Sequence, residues 1–253
     1  MSVTLDATGP IATLTVDPPS GGHDRALTEG LTAAAAELTA SHPEVRVVLV
    51  VSSDAGYGSG WDPAAIEDDS MLRDILGPIG AGFDALAEVP QPTVAAIRGE
   101  AHSAGLELAL ACDIRIAAKD ATFAMPETGS GLVPRGGGTQ RLPRAVGRAQ
   151  ALRLLLTGET IDAAEALRIG LVSEVAPAGD LDDAARAVAE AIASRGPLAT
   201  RFAKEAIKRG IEVPLAEALR LELELTVLLQ TTADRAEGVS AFVERRDPEF
   251  TGE

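Results

Sequence analysis

An α/β chain with largely parallel later strands and a helical C-terminal layer is the fold class this sequence predicts, and three observations carry it. Residues 45–51 and 93–97 are near-continuous apolar runs, rich in β-branched side chains in the first, which is how strands buried on both faces read. Segments that read as strands alternate with helical segments up to about residue 176, and beyond it only helices follow. At 253 residues the chain can build a full core, as one large domain or one domain with an appendage. No long linker accompanies the change near residue 176, so the expected division is a core over 1–176 and a helical region over 177–253 that does not fold independently.

Taken in order, residues 2–16 alternate well enough for a hairpin, with strands at 3–7 and 11–16 and Gly9-Pro10 as the turn. A Pro- and Gly-rich loop over 18–22 leads to an Ala- and Leu-rich helix at 27–40, and the buried strand at 45–51 follows. Tyr57-Gly58-Ser59-Gly60-Trp61-Asp62 places glycine-rich backbone just beyond that strand, the usual place for a ligand in such a fold. The G-x-G-x-x-G spacing of a dinucleotide site is absent. A helix over 71–89, loosened at Gly77-Pro78, precedes the central segment. There a strand at 93–97 passes through a small-residue turn over 99–105 into an apolar helix at 106–112, and a short strand covers 122–125. Gly136-Gly137-Gly138-Thr139 reads as a flexible or ligand-facing turn without the Lys-Ser/Thr ending of a P-loop. Helices at 147–157 and 162–169 and a strand at 171–175 complete the core; four helices over 181–194, 197–209, 214–230 and 233–246 form the last layer. Leu215, Leu219, Leu221, Leu225 and Leu228 give the third of these an apolar surface, to be buried against another subunit or against the chain's own sheet.

Charge is the strongest compositional signal: 22 Lys plus Arg against 38 Asp plus Glu give a net −16. Such a surface repels phosphate backbones and anionic lipid, so nucleic acid and membranes are not expected partners. The single cysteine, Cys112, excludes an intramolecular disulfide and reads as a small core residue. No charged-then-apolar leader opens the chain and no run approaches the ~20 apolar residues of a membrane span, so a cytoplasmic protein is expected.

Two carboxylates stand out. Glu107 is the one charge in the apolar helix, within about a turn of its start if Ser103 is the N-cap; loss of water raises its pKa and a helix N-terminus lowers it. Glu127 follows Pro126 where the strand at 122–125 gives way to a turn. Paired carboxylates beside glycine-rich backbone suit general acid–base chemistry with an N–H cradle for an oxyanion. Also open on spacing alone, Glu107 pairs with Arg98 or Arg115 as a structural ion pair, and Glu127 is a first-turn residue placed by Pro126.

The segment 95–109 with its Ser103-Ala104-Gly105-Leu106-Glu107, then Cys112-Asp113, Phe123-Ala124-Met125-Pro126-Glu127 and 136–142, resembles the enoyl-CoA hydratase/isomerase, or crotonase, family. Gly60-Trp61-Asp62, Leu156-Thr157-Gly158, residues 163–172 and residues 237–244 extend the resemblance over nearly the whole chain. It implies a crotonase-like spiral of repeated ββα units with a helical C-terminal trimerisation region, forming a homotrimer or dimer of trimers. It implies an acyl-CoA thioester as substrate, with no metal and no further cofactor. Carried over by position, the backbone N–H groups of Trp61 and Ala104 would form the oxyanion hole, Glu107 and Glu127 would be catalytic, and Gly60, Asp62 and Gly105 would line the substrate site. Both glutamates being present points to hydration of an enoyl-CoA, with double-bond isomerisation or acyl-CoA binding alone as alternatives. Three departures stand against the family pattern: Ser103-Ala104-Gly105 where three glycines are common, Trp61 with an indole that either narrows the acyl pocket or turns into the core, and Asp24-Arg25-Ala26-Leu27 in place of Asn-Ala-Leu. Arg25 could guide a coenzyme A phosphate past the acidic surface. Met71 and Ile75 are expected near the acyl chain, and His23, His42 and His102 are read as structural.

Overall fold

The structure is a computed structural model, and it describes residues 3–18, 22–52, 56–61 and 80–253. The hairpin forms as expected: strands β1 (Val3–Asp6) and β2 (Ile11–Val16) pair antiparallel, with every second residue of β2 buried. Helix α1 (Arg25–Ser41) starts at Asp24, whose Oδ1 accepts the Leu27 N–H at 2.8 Å, and buries the stripe Leu27, Leu31, Ala34, Ala35 and Leu38. The remaining strands are β3 (Val47–Val51), β4 (Gly56–Gly58), β5 (Thr93–Ile97), β6 (Glu100–His102), β7 (Ile114–Ala118), β8 (Thr122–Ala124), β9 (Ile161–Asp162) and β10 (Glu174–Ala176). Between them lie α2 (Ala81–Glu88), α3 (Ala104–Ala111), a 3₁₀ turn at Glu127–Ser130, α4 (Gly138–Val146), α5 (Arg148–Thr157) and α6 (Ala163–Arg168).

These strands build two sheets, ordered β1-β2-β3-β5-β7-β10 and β4-β6-β8-β9. Successive strands alternate between them: β3 then β4, β5 then β6, β7 then β8. Each pass adds one parallel strand to each sheet, which is the spiral of repeated ββα turns. The sequence predicts a plain turn over 99–105. Instead its first half is β6, too short to show a period of its own and held by its parallel partners β4 and β8. Strand β7 likewise has no counterpart among the expected elements; Arg115 interrupts its apolar pattern and answers to the carbonyls of Cys112 and Leu171. The helix expected over 71–89 is described from Ala81 onward; Met71 and Ile75 lie outside the described residues.

After β10 the chain is helical: α7 (Leu181–Ala193), α8 (Pro197–Gly210), α9 (Leu215–Leu229) and α10 (Ala233–Glu244). α7 packs Leu181, Ala185 and Ala189 onto the first sheet, whereas α9 packs against α8. On α9 only Leu225 is buried; Leu215, Leu219, Leu223 and Val227 stay exposed at 73%, 55%, 64% and 57%. The chain's own sheet is therefore not what covers that face. The C-terminal tail is tied back through Asp234, whose carboxylate accepts the N–H groups of Thr251 and Gly252.

One contact fixes where the second sheet meets its helix. A Cβ on Gly105 would fall 2.5 Å from the Gly58 carbonyl oxygen and 2.8 Å from that of Tyr57, so the start of α3 lies directly on β4. Gly105→Ala is expected to destabilise the protein by about 1–3 kcal/mol through overpacking against backbone that cannot yield. Urea denaturation followed by circular dichroism measures it, and an unchanged midpoint would remove this contact from the argument.

Candidate active site

Three parallel strands of the second sheet, β4, β6 and β8, end side by side, and each hands the chain to a candidate residue within three positions. β4 leads to Trp61, β6 to Ala104 at the start of α3, and β8 to Glu127. Carboxyl ends of parallel strands are where such folds concentrate ligand-facing groups. A Cβ on Gly60 would lie 3.7 Å from Ser103, so the turns bearing Trp61 and Ala104 are neighbours. Neither the Trp61 nor the Ala104 backbone N–H donates to another described residue. Ser103 holds the N-cap position but does not cap as the sequence suggested: its φ is 50°, its side chain makes no capping bond, and its N–H goes to Ala124. The backbone turn, not the hydroxyl, frees the Ala104 N–H.

A cleft of about 210 Å³ opens here, with Gly60, Trp61, Ser103, Glu127, Ser130 and Arg135 in its walls. Glu127 is buried, on the 3₁₀ turn, and neither of its carboxylate oxygens has a partner among the described residues. A buried carboxylate with both oxygens open is costly to keep. Glu107 sits behind the wall, fully buried. It pairs with neither Arg98, which bridges to Asp182, nor Arg115. Its Oε1 accepts the N–H groups of Gly136 at 2.6 Å and Gly138 at 2.8 Å, and its Oε2 the Trp61 indole N–H at 3.3 Å.

Burial pushes the Glu107 pKa up to about 7; the N–H groups of Gly138 and Gly136 oppose that, the Glu127 charge adds to it, and the indole N–H opposes it weakly. A helix N-terminus does bear on Glu107, as the sequence implied. It is the start of α4, where Gly138 presents an unpaired N–H, rather than that of its own helix. Hence the triple glycine is a carboxylate clamp. A Cβ on Gly136 would strike the Phe83 ring at 2.5 Å, one on Gly138 would meet Pro134 at 2.8 Å, and Gly137 has φ +99°.

The Trp61 side chain does both things the sequence left open: it lines the cleft and also packs inward, 5.7 Å from the Phe83 ring and 5.9 Å from that of His23. His23 is buried, donates Nε2–H to the Tyr57 carbonyl at 2.7 Å, and is held neutral by desolvation; it supports the indole and stays out of the cleft. His102 bonds to Thr122, and His42 sits among surface glutamates. Gly105 serves the packing of α3 and is absent from the cleft wall; Arg25 lies exposed at the start of α1. Asp62 is outside the described residues. The Gly136 and Gly138 donors, Phe83 and Arg135 escaped sequence reading, although the Gly-Gly-Gly run was a signal for backbone donors.

A sequence model of the family described as "Enoyl-CoA hydratase/isomerase" matches residues 9–253. The Mycobacterium tuberculosis protein named "Probable enoyl-CoA hydratase echA8" is 42% identical over 221 residues, covering 87% of this chain and 86% of its own. An Arabidopsis thaliana protein named "Probable enoyl-CoA hydratase 2, mitochondrial" is 46% identical over 210 residues, covering 82% of this chain and 70% of its own. The crystal structure of an enoyl-CoA hydratase from Bacillus anthracis is similar at a TM-score of 0.93 and 35% identity, covering 100% of both chains.

The raised pKa of Glu107 makes a stability prediction with a definite sign. Its folded value of about 7 exceeds the unfolded 4.5, so its contribution is fully present below pH 4.5 and is lost as pH rises through 7. Glu107→Gln, which keeps an acceptor for the two glycine N–H groups, should gain stability over the native chain across that window, on the order of 1–3 kcal/mol by pH 8. Thermal denaturation of both proteins at pH 5 and pH 8 checks it; a difference independent of pH would refute the assignment.

Proposed function

The chain belongs to the enoyl-CoA hydratase/isomerase family, and from that membership we propose that it adds water across the 2,3 double bond of an enoyl-CoA thioester, with Glu107 and Glu127 as its acid–base pair. The observation that carries this reading is the coupled, unequal pair itself: one glutamate clamped by N–H groups with its pKa near 7, the other at the cleft wall with both oxygens open. Hydration requires one proton on the pair, and Glu107, with its pKa raised to about 7, has both protonation states accessible near neutral pH. As water attacks Cβ, it gives a proton to the ionised carboxylate, while the protonated partner delivers its proton to Cα. The pair ends with the same single proton, moved from one glutamate to the other. Glu107 Oε2, with only the long indole contact, is the oxygen of that group left to meet the water.

Negative charge develops on the thioester oxygen during attack, and the Trp61 and Ala104 N–H groups are its donors in this reading. What supports them is their adjacency and their lack of a protein acceptor among the described residues. An oxyanion donor of this kind contributes about 2.7–4 kcal/mol to the transition state. Gly60 leaves room beside Ser103 for the thioester, and Arg25 is the proposed contact for a coenzyme A phosphate. Among the described residues no helix is long and apolar enough to cross a membrane.

Besides the exposed apolar face of α9, Phe242 and Val243 on α10 are exposed at 85% and 73%. Faces of this kind cover one another in oligomers, and we assign them to subunit packing in a homotrimer or a dimer of trimers.

Mass spectrometry of unsaturated acyl-CoAs incubated with the protein tests the activity. Gain of one water is expected, with turnover reduced about 10²- to 10⁴-fold in both Glu107→Gln and Glu127→Gln. Double-bond migration without water would replace the hydratase reading by an isomerase, and binding without turnover would reduce the protein to an acyl-CoA binder. Light scattering after size exclusion should give three or six times the 26.0 kDa chain mass; a monomer would overturn the packing assignment.

A further inference from the structure

In a chain carrying 16 excess negative charges, arginines find carboxylates easily. Several do so: Arg98 pairs with Asp182, Arg141 with Asp84, and Arg144 with Glu212. Arg135 is different. It is half-buried, it lines the cleft together with Glu127, and among the described residues it forms an ion pair with neither Glu127 nor any other carboxylate. Two opposite charges in the walls of one cleft of about 210 Å³ are thus kept apart. That separation has a chemical use: a guanidinium bound to Glu127 would hold that carboxylate ionised and occupied, whereas both of its oxygens are open.

The position of Arg135 relative to the reacting groups is fixed. It immediately precedes Gly136, whose N–H holds Glu107 at 2.6 Å, and follows the buried Pro134. Its backbone is therefore next to the clamp on Glu107, and its side chain, which lines the cleft with Glu127, can extend no farther than an arginine's length from there. A planar fork of N–H donors at that reach fits a carboxylate a few carbons beyond the double bond, in a protein whose surface otherwise repels anions.

We propose that Arg135 recognises a second carboxylate at the far end of the acyl group, so that the preferred substrates are short enoyl-CoA thioesters of dicarboxylic acids. This rests on the acyl-CoA reading of the same cleft. It also separates two anion sources, since every coenzyme A thioester brings the same phosphates and only the dicarboxylic ones bring an acyl carboxylate.

Calorimetry with two saturated, unreactive ligands, pentanedioyl-CoA and pentanoyl-CoA, tests it on the native protein, Arg135→Gln and Arg135→Lys. The native protein should bind the carboxylated ligand about 10- to 100-fold more tightly. That ratio should fall to about one in Arg135→Gln and be partly retained in Arg135→Lys. Equal or absent binding of the two ligands by the native protein, or a ratio that survives Arg135→Gln while both affinities fall together, would overturn the proposal; the latter would assign Arg135 to the coenzyme A phosphates or to folding. Hydration of pent-2-enedioyl-CoA and pent-2-enoyl-CoA is followed in parallel by mass spectrometry. If the binding ratio behaves as expected and neither compound gains water, the hydratase reading fails while the carboxylate site stands.

Discussion

The close approach of α3 to β4 is the constraint on which the site depends. Because residue 105 has no side chain, the first turn of α3 rests on the carbonyls of Tyr57 and Gly58. The turn that follows β4 and the turn that follows β6 are thereby brought side by side, and the N–H groups of Trp61 and Ala104 with them. A methyl group at residue 105 would separate two pieces of backbone whose side chains are nearly irrelevant to the arrangement. Glycine is required here for space, since a helical residue has no need of its conformational freedom.

The second determinant is electrostatic, and two effects of opposite sign meet in it. Removing Glu107 from water favours its protonated form strongly; the N–H groups of Gly136 and Gly138 favour its charged form. Neither wins outright, which leaves a group near neutrality where both protonation states are accessible. Glu127 completes the balance, since its own charge disfavours a second one nearby. A pKa raised in this way lowers the stability of the fold at neutral pH, a cost common at active sites.

The aromatic cluster gives the site its third property. Trp61, Phe83 and His23 hold one another at 5.7–5.9 Å, His23 edge-on to both and Trp61 tilted against Phe83, and the indole N–H ends on Glu107. One residue thus contributes a wall to the cleft, a backbone donor beside it and a side-chain donor behind it. Phe83 in turn is confined by Gly136, so the aromatic cluster and the carboxylate clamp share a boundary.

The sequence by itself determined the fold class, the hairpin, the buried strands β3 and β5 and the helices after residue 176, and it marked Glu107 and Glu127 as candidates, because periodicity, chain punctuation and an isolated charge in an apolar helix are local signals. Its resemblance to a known family supplied Trp61 and Ala104 as candidate donors. The tertiary structure alone decided that residues 100–102 form a strand, that Ser103 turns the chain without capping it, and that Glu107 is held by Gly136 and Gly138 rather than by Arg98 or Arg115. Those outcomes rest on hydrogen bonds between backbone groups far apart in the chain. Every residue but proline carries the same N–H, so sequence says where glycine permits a donor to approach, and only the packed chain says which acceptor it reaches.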